Sequence, residues 1–161
     1  MVHHIEDAGF EVVMGPSHHA IDELREPLAE AEGWIAGTGD ITEAHFEASP
    51  KLKIIARYGV GTDAVDVEAA SKRRVVVTNT PGANSNAVAD LAIGLMLEGL
   101  RHISTGNANL RGGNWTVLPG QELGSITVGI IGFGRIGQAV AKRLSGFGSN
   151  IFAHDPYANE T

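Results

Sequence analysis

Cysteine is absent from this sequence of 161 residues, and basic residues are scarce. The lack of cysteine excludes disulfide bonds, thiolate nucleophiles and cysteine-ligated metal sites. Lysine and arginine together number 12 against 19 acidic residues, which gives a formal net charge of −7. Because phosphate contacts require clustered lysine and arginine, this balance argues against a protein that binds nucleic acid.

Long hydrophobic runs are also missing. The most apolar window, residues 87–100, is interrupted by Asp90 and Glu98 and is too short to cross a bilayer. The amino-terminal residues lack the basic and apolar regions of a signal peptide. A hydrophobic fraction of 43% nevertheless predicts a folded core. We therefore expect a soluble cytoplasmic protein that does not bind a membrane.

The first half of the chain alternates apolar runs with short helical patterns. Strands are predicted at residues 10–14, 33–36, 53–57 and 75–78. Helices are predicted between them, at residues 20–31 with Pro27 opening a new first turn, from the Thr42 cap to Ala48, and from the Asp66 cap to Ser71. This alternation predicts an α/β fold with a parallel sheet and right-handed crossovers.

The longest predicted helix begins at Asn84 or Ser85 and reaches about His102. It is apolar on nearly every face, so we expect it to be covered on several sides, either between two lobes or in the interface of a homodimer. Asp90 within it is expected to be buried and to require a partner. Residues 105–124 are polar and rich in glycine, and Trp115 and Leu118 are expected to anchor them.

A glycine-rich turn lies between two predicted strands, residues 126–131 and 150–155. Gly132 permits a tight turn, Gly134 lets the backbone approach a pyrophosphate, and Gly137 lets the following helix pack closely on the strand. Asp155 follows Gly137 by 18 residues, close to the spacing of the acid that binds the adenosine ribose. This order favours a dinucleotide site over a plain strand-turn-helix connection.

The form of the cofactor follows from the acid at the end of the second strand. The carboxylate of Asp155 would repel a 2′-phosphate, and residues 156–159 contain no arginine to bind one. We therefore predict NAD rather than NADP as the cofactor.

Three segments together resemble the D-isomer-specific 2-hydroxyacid dehydrogenases, and most of all the phosphoglycerate dehydrogenase branch: Arg57–Asp66, Thr78–Asn86 and Gly129–Gly137. The resemblance implies a flavodoxin-like substrate lobe in residues 1–80. It implies a linker helix and the first half of a Rossmann NAD-binding lobe in residues 81–161. It further implies hydride transfer between NAD and a small D-2-hydroxy acid, in a chain truncated at both ends.

The same resemblance implies roles for individual residues. The substrate carboxylate would bind the backbone amides of a turn, and the nicotinamide would lie beside the middle residue of that turn: Gly59, Val60 and Gly61. Arg57 matches a position near the distal end of the substrate. The pyrophosphate would contact Arg135 and Ile136, and the adenosine ribose would contact Asp155. The alternatives are a surface ion pair for Arg57 and a plain strand-to-helix corner for the turn.

Two departures from the family pattern limit the function. Gly37 and Gly39 lie where phosphoglycerate enzymes of the family carry an arginine, so a smaller 2-hydroxy or 2-keto acid fits equally well. The arginine, glutamate and histidine that catalyse the family's reaction match no position here, so we assign no catalytic residue. A regulatory NAD-binding module and an inactive truncated product remain alternatives. The seven histidines are expected to be solvated or to cap helices, and no metal site is predicted.

Overall fold

The computed structural model of the protein describes residues 2–157. The chain divides between Pro81 and Gly82 into two compact units. The predicted α/β class is confirmed, and every strand pair in the two small sheets is parallel. The assignment of the units to a substrate lobe and a nucleotide lobe stays a prediction. In chain order the elements are α1 Val2–Glu6, α2 Ile21–Glu30, β1 Gly33–Ala36, α3 Glu43–Ala48, β2 Ile54–Arg57, α4 Val67–Lys72, β3 Val76–Thr78, α5 Ser85–Arg101, α6 Ile103–Arg111, β4 Thr127–Ile131, α7 Arg135–Ser145 and β5 Asn150–His154.

The first unit is built on a three-stranded sheet with β2 between β1 and β3. Gly33 pairs with Ile54, and Ile54 in turn pairs with Val76, so the carboxyl ends of the strands lie at one edge. Helices α3 and α4 begin where the sequence predicts them. At α3 the Thr42 N–H donates to His45 Nδ1, and at α4 the Asp66 carboxylate accepts the Ala69 N–H. The core of this unit is Ala36, Ile41, Phe46, Leu52, Ile55, Val65, Ala69, Ala70 and Val75.

Two predictions for the first unit are wrong. Residues 10–14 form no strand, and Phe10, Val13 and Met14 are 65%, 65% and 79% exposed. Their high β propensity has no effect because a strand is stable only beside a hydrogen-bonded partner. Pro27 opens no new helix but lies inside α2, whose buried Leu24 and Leu28 hold the helix against the rest of the unit.

The second unit contains the two-stranded parallel sheet β4–β5, with Ile131 paired with His154. Helix α7 packs on one face of this sheet and against α5. Asp90 on α5 forms an ion pair with Arg143 on α7, whose guanidinium also donates to the Ala139 carbonyl at 3.0 Å. Asp90 is therefore partnered, but its side chain is 67% exposed rather than buried as predicted. The core residues are Ala89, Ile93, Leu123, Val128, Ile130, Val140 and Leu144.

In the second unit the anchor predicted at Trp115 is wrong, whereas the cover predicted for α5 stays a prediction. Helix α5 buries only Ala89 and Ile93 within residues 2–157, and Leu91 and Leu95 are each 62% exposed, so a second lobe or a homodimer partner would have to cover them. Residues 103–111 form α6, although threonine, glycine and asparagine are poor helix formers. His102 separates the two helices with a left-handed backbone, φ +54°. Trp115 anchors nothing, since it is 86% exposed.

None of the helices between residues 2 and 157 is both long enough and apolar enough to cross a membrane.

Candidate nucleotide and substrate sites

The turn between β4 and α7 has the geometry that its glycines allow. Gly132 has a φ of +91°, and its N–H donates to the His154 carbonyl at 2.8 Å, which closes the strand pair. A Cβ added to Gly137 would lie 2.2 Å from the Gly132 carbonyl oxygen. Helix α7 therefore approaches the end of β4 so closely that no side chain fits at position 137.

The start of α7 has no capping side chain. Gly134 precedes the helix and has no side chain that could accept a hydrogen bond from it. A Cβ at this position would meet only open space. Gly134, Arg135 and Ile136 are all exposed. The first N–H groups of an α-helix have no partner within the helix, and they lie at the positive end of its dipole. This helix start can therefore bind an anion such as a pyrophosphate.

Asp155 lies directly after β5 and reaches the glycine turn. Its Oδ2 accepts the Phe133 N–H at 2.7 Å, and its Oδ1 accepts the Tyr157 N–H at 2.8 Å. The hydrogen bonds from Tyr157 and Phe133 hold the pKa of this carboxyl below its ordinary value. Asp155 is therefore ionised at neutral pH, and each oxygen keeps a lone pair that can accept a further hydrogen bond.

Arg135, the first residue of α7, extends over Gly82. Its Cδ would lie 3.0 Å from a Cβ at Gly82, where φ is +81°. Among residues 2–157, no carboxylate lies within 4.0 Å of the Arg135 guanidinium. Its charge is therefore available beside the start of α7.

In the first unit, the turn of Gly59, Val60 and Gly61 follows β2 at the carboxyl edge of the sheet. Its carbonyl groups are held by the segment after β3. Asn79 Nδ2 donates to the Val60 oxygen at 2.7 Å, and the Thr80 N–H donates to the Gly59 oxygen at 3.0 Å. The Gly59 N–H donates to the Arg57 carbonyl at 2.9 Å. The amides of Val60 and Gly61 have no protein acceptor among residues 2–157, so they can bind an anion.

Arg57 is buried rather than exposed. The residue is only 9% exposed, and its Nη1 donates to the Tyr58 carbonyl at 2.9 Å and to the Ala36 carbonyl at 3.3 Å. Its Nε is buried without a partner, and no carboxylate within the described range pairs with it. The alternative of a surface ion pair is therefore wrong. The two backbone carbonyls offset part of the cost of burying this cation, because buried charges need hydrogen-bond partners.

Two histidines that were expected to be solvated or capping are buried. His19 and His45 are each 5% exposed and flank Trp34, with ring centroids 4.9 and 5.8 Å from it. His45 does cap α3, because its Nδ1 accepts the Thr42 N–H at 3.0 Å. His19 caps no helix, and its burial could not be read from a sequence in which it follows the exposed His18.

A depression of about 300 Å³ lies elsewhere on the second unit. It includes no residue of the glycine turn, and its only titratable side chain is that of His102, so we assign it no chemistry. Its walls are Gly99, Leu100, His102, Pro119, Gly120 and Gln121.

Comparison with known proteins decides the family. The sequence profile described as D-isomer specific 2-hydroxyacid dehydrogenase, catalytic domain, matches residues 1–158. The chain belongs to this family. The resemblance drawn from its three motifs is thus confirmed.

The relatives of this chain carry more than one enzyme name. Hydroxypyruvate reductase from Thermotoga maritima is 43% identical over 154 residues, which cover 94% of this chain and 50% of that protein. D-3-phosphoglycerate dehydrogenase from Methanocaldococcus jannaschii is 44% identical over 139 residues, which cover 84% of this chain and 26% of that protein. The chain thus spans half the length of the first relative and about a quarter of the second.

A solved structure gives the same fold. NAD-dependent formate dehydrogenase from Staphylococcus aureus, determined in complex with NAD, matches with a TM-score of 0.86 at 32% identity. The match covers 96% of this chain and 48% of that one. The arrangement of strands and helices described above is therefore that of the 2-hydroxyacid dehydrogenase family.

Proposed function

We propose that this chain provides the dinucleotide-binding turn and a substrate-binding turn of an NAD-dependent oxidoreductase. The parent reaction is hydride transfer between NAD and the CH–OH group of a small D-2-hydroxy acid. The observation that carries the proposal is the uncapped start of α7 beside the ionised Asp155.

The residues of the second unit fit an NAD molecule. Its pyrophosphate would accept hydrogen bonds from the free N–H groups of α7, with the Arg135 guanidinium and the Ile136 backbone alongside. Gly137 lets α7 lie close to the turn, and Gly132 and Gly134 carry no side chain that would block the pyrophosphate. Asp155 would accept hydrogen bonds from the ribose hydroxyls and would repel a 2′-phosphate. When bound, NAD supplies the hydride acceptor.

The residues of the first unit fit a small carboxylic acid. The free amides of Val60 and Gly61 would bind the substrate carboxylate, with Val60 beside the nicotinamide. Arg57, whose Nη1 is fixed by the Ala36 and Tyr58 carbonyls, would contact the distal end of the substrate through its guanidinium. We assign to these residues binding and orientation, and we assign no catalytic residue to this chain.

The proposed protein is a homodimer and is located in the cytoplasm. Leu91 and Leu95 lie one turn apart on α5 and are exposed, so they present an apolar stripe on one face of that helix. Apolar surface of this kind supports a subunit interface.

The proposal is tested by titrating the purified chain with NADH and measuring energy transfer from tryptophan to the nicotinamide. Gly134→Asp places a side chain and a negative charge where the pyrophosphate would bind, so we expect at least a tenfold loss of affinity. Gly94→Asp is the matched control, because it adds the same charge at an open, exposed position of α5. Unchanged NADH affinity in Gly134→Asp would disprove the nucleotide site. Binding without turnover on a panel of 2-keto acids would favour a regulatory module.

A further inference from the structure

Gln138 lies at the end of the first turn of α7 and contacts the glycine turn twice. Its backbone N–H donates to the Gly134 carbonyl at 3.0 Å, and its side-chain Nε2 donates to the Phe133 carbonyl at 2.9 Å. The first bond belongs to the helix, and any residue other than proline could make it. The second bond requires a side chain that carries an N–H donor, and the glutamine amide supplies one.

These two bonds fix the direction of two N–H groups. The described peptide bonds are all trans, and in a planar trans peptide the C=O and the N–H point in opposite directions. The Phe133 carbonyl shares its peptide with the Gly134 N–H, and the Gly134 carbonyl shares its peptide with the Arg135 N–H. Both N–H groups therefore point away from Gln138.

Both of these donors are available to a ligand. The N–H groups of Gly134 and Arg135 have no acceptor within residues 2–157, and both residues are exposed. The N–H of the preceding residue, Phe133, is already occupied, since it donates to Asp155 Oδ2 at 2.7 Å. The side chains of Asp155 and Gln138 thus hold the two polar groups of Phe133, and the next two N–H groups of the turn stay free.

The side-chain bond matters because Gly134 cannot hold its own peptide in place. Glycine populates a wide range of backbone conformations, and a Cβ at Gly134 would meet only open space, so no packing restrains this residue. The amide of Gln138 supplies the missing restraint from outside the turn. Donors that are fixed before the ligand arrives lose less conformational entropy when it binds.

We propose that Gln138 is a positioning residue of the nucleotide site, whose side-chain amide holds the Phe133–Gly134 peptide so that the Gly134 and Arg135 N–H groups face the pyrophosphate. This inference rests on the proposed binding of NAD at this turn, and it adds a residue that lies outside the glycine pattern. The role of Gln138 is to orient these donors, not to contact the cofactor.

The test compares ADP with adenosine, which share the nucleoside and differ by the diphosphate, in titrations of the whole chain. Gln138→Met removes the donor but keeps a long side chain of similar helix propensity at an exposed position, so the fold is retained. We expect ADP affinity to fall about fivefold, as for the loss of one hydrogen bond, and adenosine affinity to stay within about twofold. Gln121→Met is the matched control, since Gln121 is also exposed but lies outside α7 and the glycine turn.

The ¹H–¹⁵N resonances of Gly134 and Arg135 report the two donors directly. In the wild type, ADP should shift both resonances more than adenosine does. In Gln138→Met the shift caused by ADP should shrink most at Gly134, because its peptide is the one that the side chain holds.

The outcomes separate this inference from the function on which it rests. Unchanged ADP affinity in Gln138→Met would overturn the role of Gln138 and leave the nucleotide site intact. Equal losses for ADP and adenosine would also overturn it, since Gln138 would then only stabilise the turn as a whole. Failure of the wild-type chain to bind both ADP and NADH would instead overturn the proposed nucleotide site.

Discussion

Helices α4 and α7 both begin close after a turn that follows a parallel strand, but their first N–H groups are used differently. At α4 the Asp66 carboxylate accepts the Ala69 N–H at 2.8 Å, so a side chain of the protein already occupies this helix start. At α7 the preceding residue is Gly134, which offers no side-chain acceptor. The comparison shows that a side chain caps one helix start, whereas the other keeps the free N–H groups to which we assign the pyrophosphate.

The largest expected effect concerns the contact that brings α7 to β4. Gly137→Ala places a Cβ 2.2 Å from the Gly132 oxygen, so the helix must move. We expect the free energy of unfolding of the second unit to fall by about 3 kcal/mol. Hydrogen exchange resolved by residue measures this, with Gly94→Ala on exposed α5 as the control. A second unit of unchanged stability would show that α7 is not held by this contact.

A smaller effect is expected at the capped helix. Asp66→Ala removes the acceptor for the Ala69 N–H and should lower the stability of the first unit by about 1 kcal/mol. NADH affinity should not change, because the contacts proposed for the pyrophosphate and the adenosine ribose lie in the other unit and Asp66 is assigned no contact with NADH. Chemical denaturation followed by Trp34 fluorescence measures the first effect, and a titration measures the second. A loss of NADH affinity would contradict the assignment of a purely stabilising role to the start of α4.

Asp155 gives a pH-dependent contribution to the second unit. Its pKa is lowered in the folded protein from an ordinary value of 3.8, so the carboxylate stabilises the fold above that value. This stabilisation is lost as the pH falls through the lower folded pKa. Asp155→Asn should therefore reduce the pH dependence of hydrogen exchange in residues 127–154 below pH 4. An unchanged pH profile would show that the bonds to Phe133 and Tyr157 contribute no stability.

The smallest change in stability, a few tenths of a kcal/mol, is expected from giving α7 the cap that it lacks. Gly134→Ser supplies a hydroxyl that can accept the Ile136 or Gly137 N–H and so slightly stabilise the helix. The same N–H groups would no longer be free, so NADH affinity should fall. Thermal unfolding and titration measure the two effects. A parallel gain in stability and affinity would argue against binding at these amides.

The local parts of the fold could be predicted because the residues that determine them lie close together in the sequence. The caps Thr42 and Asp66, the glycines of the β4–α7 turn and the acid after β5 act within a few residues or at a fixed spacing. The strand predicted at residues 10–14 failed because pairing depends on a distant partner. The anchor predicted at Trp115 failed because burial is likewise set by tertiary packing.

The sequence by itself determined the family, the α/β class and the order of the nucleotide turn, since each is written in contiguous motifs such as residues 129–137. The tertiary structure alone decided that Arg57 is buried without a counter-ion and that His19 is buried on the Gly39 carbonyl. Burial of this kind arises from residues 20 and more positions apart, and no local pattern encodes it.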